Sequence, residues 1–100
     1  MNGYDIIEVN YKCVENSFMY YLHEKDMFDM TSFHELHNSI YQIKNTEVVG
    51  KLFNIYSQLL RHIICHFDPD DMSCIKNLPI DYFYYIEMLD DAINNVMDYK

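Results

Sequence analysis

The sequence predicts a mainly α-helical, compact bundle of four to five helices in a single domain, residues 1–100. Half of the residues are hydrophobic, and only two glycines and two prolines interrupt the chain. Apolar residues recur at intervals of three and four over long stretches, which is the spacing of helices that bury one face. A chain of this length can bury a core without the help of metals or disulfides.

The first 30 residues fit two different structures. Apolar residues at helical spacing favour a helix, and residues 7–13 alternate between apolar and polar side chains as a half-buried strand does. We expect helix here, and the alternative is an α+β fold with an N-terminal β-hairpin at about residues 6–22. The residues at helical spacing are Ile7, Tyr11, Val14, Phe18 and Tyr21.

The next helix is expected to begin at Thr31 and Ser32. Ser32 and Glu35 have the spacing of a capping box, in which each side chain bonds a backbone amide at the start of the helix. The side chains expected to face the core are Phe33, Leu36, Ile40 and Ile43.

The clearest predicted element is a central helix at about residues 46–67. Asn45 or Thr46 can cap its start, and Glu47 suits the positive end of the helix dipole. Gly50 lies in its first turn and is explained equally by close approach of another backbone or by simple tolerance. The predicted buried stripe consists of Val49, Leu52, Phe53, Tyr56, Leu59, Leu60, Ile63 and Phe67.

Two proline-containing breaks divide the last third of the chain. Asp68 followed by Pro69 is typical of a helix start, so a short helix is expected from Pro69 to about Asn77. Pro79 ends that helix, because the residue before a proline avoids helical geometry. A last helix is expected over about residues 79–98, and it would bury Tyr82, Tyr85, Ile86, Leu89, Ala92, Ile93 and Val96.

The charge limits the kinds of partner. The formal net charge is −9, which repels nucleic acid and anionic lipid and favours a basic protein. The apolar runs are far shorter than the roughly 20 residues of a membrane span, and the start of the chain does not resemble a secretory signal. The three cysteines form no recognisable disulfide or metal pattern, so we expect reduced thiols in a cytoplasmic protein.

Metal and catalytic chemistry have little support. His62 and His66 lie one helical turn apart and are the weak candidates for a metal pair, but no second group of ligands has a recognisable spacing. The chain has no glycine-rich turn to hold a phosphate or an oxyanion. We therefore expect no metal, no cofactor and no enzymatic activity.

The outer face of the last helix is the best candidate for binding a partner. Tyr84, Glu87, Asp91 and Asp98 fall opposite the predicted buried stripe and combine a large aromatic ring with a row of carboxylates. A second acidic group lies upstream in the sequence and could extend the negative field. It consists of Asp68, Asp70 and Asp71.

These features favour a small acidic inhibitor that binds and occludes a basic protein, one that handles nucleic acid, such as a nuclease. Toxin-immunity proteins and phage anti-defence proteins use the same physical principle. The alternative is a phage or viral assembly chaperone that binds a partner helix in an apolar groove. In that alternative Phe28, Phe33 and Phe83 would be exposed as a patch.

Overall fold

The computed structural model describes residues 2–71 and 74–98, and within these ranges the chain forms five α-helices and no strand. The predicted helical bundle is therefore confirmed, and the alternative hairpin at residues 6–22 is wrong. The helices are α1 (Gly3–Tyr11), α2 (Phe18–Lys25), α3 (Met30–Ile40), α4 (Val49–Phe67) and α5 (Tyr82–Met97).

A tight connection separates α1 from α2 and explains the ambiguous pattern of the N-terminal region. Cys13 and Asn16 adopt left-handed backbone conformations with φ of 53° and 74°, which a continuous helix could not contain. The Ser17 side chain then caps α2 by accepting a hydrogen bond from the Tyr20 amide at 3.2 Å. The alternation over residues 7–13 thus runs across a helix and its turn.

Asn10 links the first two helices from a buried position. Its side-chain nitrogen donates to the Ile6 carbonyl at 2.9 Å, and its side-chain oxygen accepts from the Met19 amide at 3.0 Å. The second bond satisfies one of the amides that the first turn of α2 leaves without an intrahelical partner. This polar side chain therefore fixes how α2 leaves α1.

All five helices contribute to one continuous core. At its centre the rings of Phe18, Phe28 and Phe33 pack with centroids 5.0–5.4 Å apart, and Tyr85 of α5 contacts two of them. Aromatic groups of this kind combine large buried area with favourable edge-to-face geometry. The core-facing side chains predicted for α3 are all buried and are Phe33, Leu36, Ile40 and Ile43.

The N-cap of helix α3 lies three residues before Ser32, the predicted start of the capping box. Asp29 is the N-cap, and its carboxylate accepts a hydrogen bond from the Ser32 amide at 2.9 Å. The Ser32 hydroxyl instead donates to the Asp29 carbonyl at 3.2 Å. A carboxylate at the N-cap also suits the positive end of the helix dipole, so Asp29 replaces Ser32 in that role.

The long helix α4 starts at Val49, a few residues later than predicted. The side chain of Asn45 accepts from the Glu47 amide at 2.9 Å and forms a local turn, so that neither Asn45 nor Thr46 caps the helix. The residue at the N-cap position is Val48, whose side chain makes no capping bond.

The buried face of α4 also differs in part from the predicted stripe. Phe53 and Phe67 were predicted to be buried but are exposed, and Ile55 is buried although it was missed. Phe67 lies in the last turn of α4, beside the connection that follows this helix. The buried residues are Leu52, Ile55, Leu59 and Ile63, at spacings of three and four.

The predicted short helix from Pro69 to Asn77 is wrong for the described residues 69–71 and 74–77, which form two turns and irregular backbone. Backbone amides that a helix would use bond elsewhere. The Asp70 amide donates to the Asp68 side chain at 2.9 Å, and the Ile75 amide donates to the His66 ring at 2.9 Å. A helix of this length is marginal without packing, and Ile75 alone is buried among these residues.

Helices α4 and α5 form an antiparallel pair. The rings of Phe67 and Tyr82 lie 5.4 Å apart at the junction, and Tyr56, further back along α4, lies near Asp90 of α5. Helix α5 begins at Tyr82 and buries Leu89, Ala92, Ile93 and Val96 as predicted, with Tyr82, Tyr85 and Ile86 half-buried.

The two glycines are expected to respond in opposite ways to alanine. A Cβ at Gly3 would lie 2.8 Å from the Ser39 carbonyl oxygen, where α1 crosses α3, but a Cβ at Gly50 would meet nothing within 4 Å. Gly50 is thus a tolerated helix residue. We expect Gly3→Ala to cost about 1–3 kcal/mol and Gly50→Ala to be neutral or stabilising by up to about 1 kcal/mol. Urea unfolding measures both, and a stabilising Gly3→Ala would contradict the observed packing.

Candidate functional site

The outer face of α5 exposes the aromatic and acidic residues selected from the sequence. Tyr84 is 58% exposed, and Glu87, Asp91 and Asp98 are exposed as well. Residues 84, 87 and 91 lie on one face because three or four residues complete one helical turn. Asp98 lies about 21 Å from Tyr84 along the helix axis, at a rise of about 1.5 Å per residue, so it belongs to the far end of this face.

In residues 2–71 and 74–98, no ion pair joins a cation to a carboxylate of this face. Within the same ranges the lysine ion pairs are those of Lys12 and Lys51, and both go to Glu8. The two lysines lower the pKa of Glu8, and the hydrogen bond from Lys51 is the largest cause. Desolvation of the carboxylate opposes this shift but does not cancel it. The lysines that form ion pairs in this part of the chain are thus engaged away from α5.

The acidic group at Asp68, Asp70 and Asp71 is divided by the structure. Asp68 and Asp70 are exposed, and the Asp70 backbone amide donates a hydrogen bond to the Asp68 carboxylate, which holds a local turn. Asp71 is half-buried and accepts a hydrogen bond from the Cys65 thiol, which raises the pKa of that thiol. Asp68 and Asp70 thus contribute charge to the surface, while Asp71 also holds the end of α4.

The same end of α4 lies beside the start of α5. Asp68 directly follows Phe67, whose ring contacts Tyr82. The structure therefore brings Asp68 and Asp70 to the end of α5 that carries Tyr84. We call the surface formed by Asp68, Asp70, Asp81, Tyr84 and Glu87, with Asp91 one turn further, the acidic face.

A groove next to the acidic face, whose lining is partly apolar and partly polar, was missed by the sequence pattern. It has a volume of about 390 Å³ and lies between the end of α4, the connection and the start of α5. Phe67, Ile80 and Tyr82 line it, and Ile80 is fully exposed. One feature of the sequence could have indicated the groove. Ile80 lies between Pro79 and Asp81, in the connection between two helices, where a hydrophobic side chain has no helix of its own to pack on.

The apolar patch required by the chaperone alternative does not exist as predicted. Phe28 and Phe33 are buried at the centre of the core, and Phe83 is 63% exposed. Of the exposed apolar residues, Phe67 and Ile80 line the groove at the junction of α4 and α5. Ile64 is exposed in the last part of α4, and Phe83 is exposed in the first turn of α5.

The two candidate metal ligands each have a structural role. His62 packs edge-on against His23 with ring centroids 5.6 Å apart. The Nδ1 atom of His66 accepts a hydrogen bond from the Ile75 backbone amide. Across the described part of the chain, no three His, Cys, Asp or Glu side chains are grouped in a way that could hold a metal ion.

Two partly buried histidines are expected to make stability depend on pH. Burial lowers the pKa of His37 and of His62 below the ordinary value of 6.5, and the neighbours His34 and His23 lower them further. The unfolded chain therefore binds protons more readily than the folded one below that value.

We expect the free energy of unfolding to be level just above pH 6.5 and to fall as the pH drops from there toward 5. The double variant His37→Gln, His62→Gln should show a shallower fall over this window, measured by urea unfolding at each pH. An equal fall in the wild type and in the double variant would contradict the conclusion that His37 and His62 cause the loss of stability. Loss of the Glu8 ion pairs is expected separately, at pH values below its ordinary pKa of 4.5.

Comparison with protein families, with curated proteins and with solved structures found no match for this chain. Among the described residues, none of the helices combines the length and hydropathy needed to cross a membrane.

Proposed function

We propose that the protein is a small, non-enzymatic inhibitor that binds a basic, nucleic-acid-handling protein and covers its basic surface. The observation that supports this proposal is the acidic face, where Tyr84, Glu87 and Asp91 are exposed and no ion pair of the described residues engages a carboxylate of α5. Toxin-immunity and phage anti-defence proteins are the classes that this mechanism fits.

Binding would proceed in two physical steps. The net charge of −9 attracts a cationic partner over several ångströms and raises the encounter rate. Burial of Tyr84 and pairing of the α5 carboxylates with lysine or arginine then slow dissociation. A partner surface that contacts phosphates would be covered, because carboxylates occupy the positions that phosphates take.

The proposed setting is the cytoplasm, since Cys13, Cys65 and Cys74 are free thiols that a reducing compartment preserves.

Affinity capture with matched variants tests the proposal. One bait is the protein with Glu87→Lys and Asp91→Lys, and the control bait carries Glu15→Lys and Glu35→Lys. The control has the same net charge, and its two positions line a separate cavity between α1, the connection that follows it and α3. We expect a basic protein from the native host to be retained by the wild type and the control and lost with the α5 variant. Equal retention by all three baits would contradict the proposal.

A further inference from the structure

We infer that the groove at the α4–α5 junction holds an apolar side chain, of leucine size or aromatic, carried by a cationic segment of the partner. This inference rests on the proposed function, because it assigns a second part of the same binding surface. The acidic face would select the charge of the segment, and the groove would fix its position.

Two of the residues that line the groove expose large apolar side chains. Ile80 is fully exposed and Phe67 is 57% exposed. Ile64, which is 70% exposed, lies one turn before Phe67 on α4. Single exposed apolar residues are common, but two that line one concavity favour a protein-binding site.

The wall of the groove is held in place before any partner binds. Ile75 is buried beneath it, and its amide donates to His66. The Asn77 side chain bonds both the amide and the carbonyl of Phe28, at 2.7 and 2.9 Å. The Lys76 amide donates to the Asp26 carbonyl at 2.7 Å. Such preorganisation reduces the entropy lost when a side chain enters.

The charges around the groove identify the occupant. Three carboxylates, those of Asp68, Asp70 and Asp81, are exposed on the segments that border the groove. Among the described residues, the one cation in the lining of the groove is Lys76. A second copy of this chain would bring the same carboxylates together, and each copy carries a net charge of −9. A cationic segment instead meets opposite charge on both sides of its apolar side chain.

Titration of the isotope-labelled protein with synthetic peptides tests the inference by NMR. The probe is a short lysine- and arginine-rich peptide that contains leucines, and two matched peptides replace either its leucines by serine or its cations by glutamate. We expect the leucine peptide to bind about 10-fold or more tightly than the serine peptide. Its amide shifts should include Ile75, Lys76 and Tyr82.

The variant Ile80→Asp separates charge from apolar contact. It adds a negative charge and removes the exposed isoleucine, so attraction by charge alone predicts tighter binding of the leucine peptide. The groove predicts weaker binding, by about 10-fold. The control Val14→Asp adds the same charge at an exposed position between α1 and α2, and it should not weaken binding.

The remaining outcomes are distinct. If the leucine and serine peptides bind equally and Ile80→Asp does not weaken binding, the groove inference is wrong and the acidic face stands. If no peptide binds at low salt, both proposals are wrong.

If the glutamate peptide binds as tightly as the leucine peptide with its cations, the site does not select a cationic segment. Dimerisation of the wild type that Ile80→Asp abolishes would assign the groove to a second copy and overturn the inference.

Discussion

Replacing Leu59 with alanine is expected to lower the free energy of unfolding by about 2–5 kcal/mol. Leu59 lies in the middle of α4 and is 0% exposed, so its truncation removes contacts on all sides and leaves a cavity. A domain of this size has a total stability of about 5–15 kcal/mol, so the loss is a large part of the whole. Each lost kcal/mol should lower Tm by about 4–8 °C.

The matched control is Ile64→Ala on the same helix. Its side chain is mostly exposed, so the expected cost is below about 0.5 kcal/mol. Urea unfolding, followed by far-ultraviolet circular dichroism, compares the two variants. Similar costs at Leu59 and Ile64 would mean that α4 is rotated relative to the described core.

Reversing the charges of Glu87 and Asp91 to lysine is expected to weaken binding of the captured partner by about 100-fold or more. The change removes two attractive contacts and places two cations against a cationic surface, which costs several kcal/mol. Both positions are exposed on α5, and Asp91 lies in its second half, nearer the end where lysine suits the helix dipole. We therefore expect the Tm to change little.

Isothermal titration calorimetry with the purified partner measures this effect, and the variant with Glu15→Lys and Glu35→Lys is its control. Because that control has the same net charge, a large loss with α5 alone would locate the interaction. If both double variants lose the same affinity, net charge and not the acidic face controls binding. Unchanged affinity in both would contradict the electrostatic account.

The helical fold was predictable because apolar side chains recur with a period that only a helix places on one face. Leu52, Leu59 and Ile63 illustrate this for α4, and Leu89 and Ile93 do so for α5. Periodicity does not fix the rotation of a helix to within one residue when apolar residues are plentiful. This explains why Ile55 was missed.

The connections were harder to predict because long-range hydrogen bonds determine them. The Asn77 side chain bonds the backbone of Phe28, which lies 49 residues away, and the Lys76 amide donates to the Asp26 carbonyl. Neither bond leaves a periodic pattern in the sequence. At Pro69 the proline and the acidic residues form a turn instead of a helix start, because the Asp70 amide bonds the Asp68 side chain and the Asp71 amide bonds the Asp68 carbonyl.

The two parts of the candidate surface differ in the same way. The exposure of Tyr84, Glu87 and Asp91 follows from the phase of α5 alone. The groove depends on where the connection before α5 lies. Only that position shows that the exposed side chain of Ile80 lines a groove. A surface formed by one helix can be predicted from sequence, but one formed by several segments requires the three-dimensional structure.

The measurement that tests the central claim most directly is the association rate of the captured partner with the wild-type protein at increasing salt. An acidic face that attracts a basic surface predicts a fall of about 10-fold or more between roughly 10 mM and 500 mM monovalent salt, since the screening length shortens over this range. An association rate that does not change with salt would contradict the claim.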